Sequence, residues 1–191
     1  MPRPVEGQLL TRGVLSGMSE PDRASLLNKE RRDIAAVIDE SFRLIPYPGD
    51  EALVIIRGEV DLERREILET FKGKHWRTLP LSVLRYNHQS LFFFTPAAYR
   101  FYLPAYLRAT ALSYGRAGNI PGSVVFSLTA PETPGAEMDA FLSTMTGFDA
   151  AQRSAITSFL EFMIKAHSED FPGHELTMVM NSFWREFKRK A

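Results

Sequence analysis

Residues 91–114 read LFFFTPAAYRFYLPAYLRATALSY, and this stretch decides how the rest of the chain can be arranged. Thr95 is a suitable helix N-cap, and Pro96 follows at the first helical position, where a missing N–H costs nothing. At about 100° per residue, the apolar side chains beyond Pro96 nearly encircle the helix. A helix that is apolar nearly all round is a buried one, so the stretch predicts the central helix of the domain.

Pro104 lies inside this helix. It has no N–H to donate to the carbonyl of Arg100, and its ring clashes with that carbonyl. A proline also biases the residue before it, Leu103, away from helical geometry. We therefore expect a kink or a break near Leu103.

Only a narrow sector of the central helix lacks large apolar side chains, and it contains Arg100 and Arg108. A guanidinium in an aromatic surround is suited to binding a carboxylate or phosphate through two hydrogen bonds. Arg100 is therefore the first candidate for a ligand-binding residue. The further candidates are Tyr99, Tyr102, Arg108 and Trp76. The alternative is structural, with Arg100 paired to an acid such as Asp50 or Asp61.

Three weaker patterns each have an alternative explanation as ordinary structure without a binding or catalytic role. Lys72, Lys74, His75 and Trp76 form either a small anion site or a solvated helix end beside a core tryptophan. Asp61, Glu63 and Glu66 are either paired carboxylates for acid–base work or a solvated helix face. His167 and His174, beside acidic residues, form either a metal site or an ordinary polar turn. We favour the structural interpretation in all three cases, and we expect no catalytic residue, no metal and no cofactor.

The amino-acid composition limits the classes of protein to which this chain can belong. The chain has 191 residues, of which 45% are hydrophobic, with 23 basic and 23 acidic side chains. A balanced charge argues against a nucleic-acid partner. The absence of cysteine excludes disulfides, thiol catalysis and zinc–thiolate sites. We find neither a secretory signal nor a membrane-spanning run, and expect a cytoplasmic protein without a membrane partner.

The fold expected around the central helix is mainly α, with at most a minor strand at residues 53–56. Helix-start signals occur at Ser19 and at Asp149, where Gln152 completes a capping box. Apolar periodicity predicts further helices over residues 59–71 and 136–145, and a short helix that starts within residues 80–84. It also predicts a last helix that buries Leu176, Val179, Met180, Phe183 and Phe187, and it places Val37 and Leu142 among the buried side chains. Residues 1–18 are expected to form a mobile tail before a single domain over residues 19–191. Residues 115–135, rich in glycine and proline, are expected to form a long mobile loop.

Two motifs resemble those of a bacterial family of uncharacterised proteins. They are Phe71-x-Gly73-Lys74-x-Trp76 and the run TPxAxRxYLPAYL that starts at Thr95. The resemblance spans roughly residues 30–185. It implies a single, mostly helical domain and no particular chemistry.

Two functions from different classes remain open. The first is a non-enzymatic domain that binds another protein, for instance as an immunity-type or regulatory partner, with residues 115–135 and the charged 59–66 face as contact surface. The second is a small enzyme or ligand-binding domain with an anion site at Arg100 and neighbouring tyrosines. A cavity lined by Arg100 and two tyrosines favours the second function, and a filled core favours the first. We favour the first.

Overall fold

The computed structural model describes residues 19–55 and 61–187. These residues form one all-α domain with eight α-helices, six short 3₁₀ helices and no strand, which confirms the predicted fold class. The α-helices are α1 Glu20–Ser41, α2 Leu62–Phe71, α3 Leu81–Tyr86, α4 Pro96–Ser113, α5 Ile120–Leu128, α6 Ala136–Met145, α7 Ala150–His167 and α8 Glu175–Ser182. The 3₁₀ helices are Asp50–Ala52, Trp76–Thr78, His88–Phe92, Tyr114–Arg116, Ser168–Asp170 and Trp184–Phe187.

Local capping signals set where the long helices begin. The side chain of Ser19 accepts a hydrogen bond from the N–H of Asp22, and that of Thr95 accepts one from Ala98. Asp149 and Gln152 form a reciprocal capping box at the start of α7. Each cap satisfies backbone N–H groups that a first helical turn leaves unpaired, so these three predicted starts are confirmed.

Helix α4 is the centre of the domain and packs against α1, α5 and α6. Every side chain from Phe101 to Leu107 is buried. This buried run includes Pro104, and α4 continues through it. Of the expected kink or break near Leu103, the break does not occur, because the helix is continuous from Pro96 to Ser113. The neighbouring helices stabilise the helical path by packing around it, which offsets the missing hydrogen bond.

The largest correction concerns residues 115–135. Helix α5 occupies Ile120–Leu128 in the middle of this stretch, and its apolar residues Ile120, Val124 and Leu128 are fully buried. The expected mobile loop is wrong because tertiary burial overrides the low helix propensity of the sequence. Pro121 lies in the first helical turn, where it is tolerated.

Several smaller expectations also change. Val37 is 43% exposed and Leu142 is 37% exposed, although both were expected to be buried. Among the described residues, 53–55 form no strand and Val54 makes an isolated antiparallel bridge with Phe94, in agreement with the prediction of at most a minor strand there. The predicted mobile tail, residues 1–18, lies outside the described residues.

Candidate functional site

A cleft of about 500 Å³ opens beside the first turns of α4, and we call it the Arg100 cleft. One wall is the end of α1 with the following segment, residues 40–48. A second wall is Ala97 and Arg100 of α4, and a third is Gly147 with the start of α7. The lining residues are Glu40, Ser41, Arg43, Leu44, Ile45, Pro46, Pro48, Ala97, Arg100, Gly147, Asp149 and Gln152.

The guanidinium of Arg100 lies directly over Gly147. A Cβ atom built on Gly147 would lie 2.5 Å from Nη1 of Arg100 and 2.7 Å from its Cζ, so only a glycine leaves room for this arrangement. Nη1 donates a hydrogen bond to the carbonyl of Thr144 at 3.4 Å, in the last turn of α6. A cation is favoured at that end of a helix because unpaired carbonyls concentrate negative charge there.

Within the described part of the chain, no acidic side chain forms an ion pair with Arg100. The expected partners are occupied elsewhere. Asp50 accepts hydrogen bonds from the Tyr47 hydroxyl and from the N–H of Gly73, and Asp61 pairs with Arg64 at 3.0 Å. The half-buried Arg100 therefore carries a positive charge that no carboxylate of the described residues neutralises.

The other charged groups of the cleft already have partners. Glu40 pairs with Arg43 at 3.3 Å. The Asp149 carboxylate accepts the N–H of Gln152 at 2.8 Å, and it lies at the start of α7, where the helix dipole favours a negative charge. Both acids belong to the lining, so an incoming anion meets them as well as the two arginines.

Part of the rim of the cleft is apolar. Leu44 is 78% exposed, and Ile45, Pro46 and Pro48 continue the same wall. The cleft thus combines a cationic group with an exposed apolar edge. This combination matches a ligand that carries both a carboxylate and an apolar group.

The candidate tyrosines are buried in the core instead of lining the cleft. The Tyr99 hydroxyl is 3.0 Å from the Ser127 hydroxyl. The carbonyls of Phe71 and Lys74 share the single hydroxyl proton of Tyr102, at oxygen–oxygen distances of 2.7 and 2.9 Å. Burial raises the pKa of both phenols far above the ordinary value, so both stay protonated.

Arg108 and Trp76 lie in a different cluster, which also contains Asp39 and Arg77. Nε of Arg108 lies 3.1 Å from the Asp39 carboxylate of α1, and Arg77 pairs with the same carboxylate at 3.6 Å. Trp76 is 1% exposed, and the Arg77 guanidinium lies 4.6 Å from its ring centroid. The ion pair proposed for Arg100 is therefore found at Arg108 instead, with Asp39 as the acid, and of the five candidates only Arg100 lines the cleft.

The histidines and lysines of the weaker patterns have separate contacts in the described part of the chain. His167 stacks on Tyr114 with ring centroids 3.5 Å apart, whereas His174 is exposed at the start of α8. No group of three potential metal ligands occurs among the described residues. The lysines at the end of α2 are engaged locally, since Lys72 pairs with Glu69 and Lys74 donates to the Thr70 carbonyl.

Comparison with known proteins gives one match. A family model matches residues 58–188, well over half of the chain. The chain belongs to DUF6714, a family of unknown function. No curated protein and no solved structure matches it. The match confirms the predicted resemblance to a family of unknown function.

The DUF6714 match includes only part of the Arg100 cleft. Arg100, Gly147, Asp149 and Gln152 lie inside the matched residues, whereas the wall at residues 40–48 lies before them. In the described residues no helix is both long and apolar enough to cross a bilayer.

Sequence reasoning found Arg100 but missed the surfaces that surround it. Gly147 carries no local signal, because its role depends on a side chain from another helix. Arg43 and Leu44 follow α1 in sequence and looked like an ordinary helix end. These contacts are fixed by tertiary packing, which single-sequence patterns do not report.

Proposed function

We propose that this protein is a protein-interaction domain that binds an acidic segment of a partner protein in the Arg100 cleft. The observation that carries the proposal is the half-buried Arg100 guanidinium, which faces a cleft of about 500 Å³ and has no acidic partner among the described residues. The occupant is a carboxylate with an apolar neighbour, because the cleft joins this charge to the exposed edge at Leu44.

The filled core supports the same proposal. The tyrosines next to Arg100 are packed and hydrogen-bonded, so they leave no tyrosine-lined cavity for a small substrate. The interaction surface is therefore the cleft itself. The second proposed function, a ligand-binding domain for a small anion, uses the same guanidinium but does not need the apolar rim.

A peptide selection tests the proposal. A random peptide library displayed on phage is selected on the full chain, and the retained peptides are counter-selected on the Arg100→Gln variant. We expect an enrichment of peptides with an Asp or Glu beside an apolar residue. Their affinity, measured by calorimetry, should fall at least tenfold in Arg100→Gln, because a buried charge-assisted hydrogen bond to the carboxylate is lost.

The matched control is Arg65→Gln, which removes an exposed arginine from α2. This variant should bind the same peptides as tightly as the unmodified chain. Retained peptides without an acidic residue, or equal binding to Arg100→Gln, would refute the proposal. Binding of free carboxylates with the same affinity as peptides would favour the small-anion function instead.

A further inference from the structure

A second groove, of about 460 Å³, lies at the other end of α4. It is lined by His88, by Tyr114 and Gly118 after α4, by the start of α5 and by Asp170 and Phe171 after α7. Along the helix axis it is roughly 20 Å from Arg100, so the two clefts are separate. We call this surface the Ser123 groove.

A serine and a histidine from different elements meet in this groove. Oγ of Ser123 on α5 lies 2.8 Å from Nδ1 of His88. Ser123 is 9% exposed and still lines the groove, and His88 is partly buried beside it. A hydroxyl and an imidazole in hydrogen-bond contact are the two groups that nucleophilic catalysis by serine requires.

Several helical hydroxyls of the domain have a local backbone partner, whereas Ser123 forms a hydrogen bond with an imidazole. Ser127, Thr144 and Thr157 each donate to a backbone carbonyl in the preceding turn of their own helix. A hydrogen bond of this kind, to a carbonyl of the preceding turn, is common for serine and threonine side chains on helices. Ser123 instead contacts an imidazole that is 35 residues away in sequence.

The groove leaves space beside the hydroxyl for a second molecule. Gly122, directly before Ser123, is exposed, and no heavy atom lies within 4 Å of a Cβ built there. The aromatic rings of Tyr114 and Phe171 provide apolar lining. The Asp170 carboxylate lies in the same lining and disfavours an anionic ligand.

We propose that Ser123 and His88 form a nucleophile–base pair that hydrolyses small esters without a negative charge. In the first step Oγ of Ser123 bonds to the ester carbonyl carbon, its proton passes to Nδ1 of His88, and the π electrons of the C=O bond move onto the carbonyl oxygen. The C=O bond then re-forms as the bond from that carbon to the alkoxy oxygen breaks, and His88 gives the proton to the departing alcohol. Water, deprotonated by His88, attacks the acyl-serine, releases the carboxylic acid and restores the Ser123 hydroxyl.

Covalent labelling tests the pair without a known substrate. The full chain is incubated with diisopropyl fluorophosphate, and the adduct is measured by intact mass and located by tandem mass spectrometry. We expect one diisopropylphosphoryl group on Ser123. His88→Gln should lower the labelling rate at least tenfold, because the base that takes the proton is lost. Ser82→Ala, which changes an exposed serine of α3, should label normally.

The unmodified chain alone can refute the proposal. Folded protein that acquires no adduct at Ser123 overturns it, whatever the variants do. An equal labelling rate in His88→Gln overturns the role of His88 as base. The outcome is independent of the Arg100 cleft, because neither residue belongs to that site.

Discussion

The contact between Arg100 and Gly147 leads to a quantitative prediction. Replacing Gly147 by alanine adds a Cβ atom 2.5 Å from Nη1 of Arg100, which forces the guanidinium away from its position. Gly147 does not have a left-handed φ, so alanine fits its backbone. The substitution therefore moves the Arg100 side chain and leaves the fold intact.

Two opposing effects set the size of the change in stability. Alanine restricts the unfolded chain and stabilises the fold by about 0.4–1 kcal/mol. Displacing Arg100 from its bond to the Thr144 carbonyl costs about 0.5–1.5 kcal/mol. In the unmodified chain these effects nearly cancel. In an Arg100→Ala background the second effect disappears, so Gly147→Ala should stabilise the domain by about 0.4–1 kcal/mol.

A double-mutant cycle measures this difference. The free energy of unfolding is obtained from urea denaturation of the unmodified chain, the two single variants and the double variant. We expect a coupling energy of about 1 kcal/mol between the two positions. The same effect of Gly147→Ala in both backgrounds would show that the guanidinium does not lie over Gly147.

Three further predictions follow from the buried contacts. Tyr102→Phe should lower the free energy of unfolding in urea by about 1–2 kcal/mol, because two backbone carbonyls lose their hydroxyl donor; an unchanged midpoint would contradict these bonds. Arg108→Ala should cost about 1 kcal/mol or less in the same assay, because its pair with Asp39 is about one third exposed and partly screened; a loss of several kcal/mol would contradict this screening. Burial, with a smaller effect of Arg31, lowers the pKa of His167 below its ordinary value of about 6.5 although Asp170 opposes the shift. The unfolded chain then binds more protons, so the free energy of unfolding should fall as the pH drops from 7.5 to 5.5. In His167→Gln the free energy of unfolding should depend less on pH over this range. An unchanged dependence would refute the role given to the lowered pKa of His167.

The parts of the fold that sequence could predict are those set by local chemistry. Ser19, Thr95 and Asp149 each bond to a backbone N–H three residues ahead, so their roles are visible in the sequence alone. The central helix was also predictable, because its apolar residues surround it on nearly every side.

The parts that sequence could not predict depend on distant contacts. Helix α5 contains Pro121 and Gly122, which are typical of loops, and it is helical because Ile120, Val124 and Leu128 are buried by other elements. The candidate sites are subject to the same limit. Arg100 was recognisable as a polar residue on an apolar helix, but nothing local distinguishes it from Arg108. Only the tertiary structure shows that Asp39 pairs with Arg108 and leaves Arg100 facing a cleft.

An NMR titration of the Arg100 side chain tests the proposed interaction most directly. The ¹⁵N-labelled full chain is titrated with a peptide from the selection, and then with the same peptide in which the acidic residue is replaced by its amide. We expect the acidic peptide to shift the Arg100 Nε–H signal and the backbone amide signals of Gly147 and Ile45, and the amide peptide to shift them at least tenfold less at equal concentration. Equal shifts with both peptides, or shifts confined to surfaces outside the cleft, would contradict it.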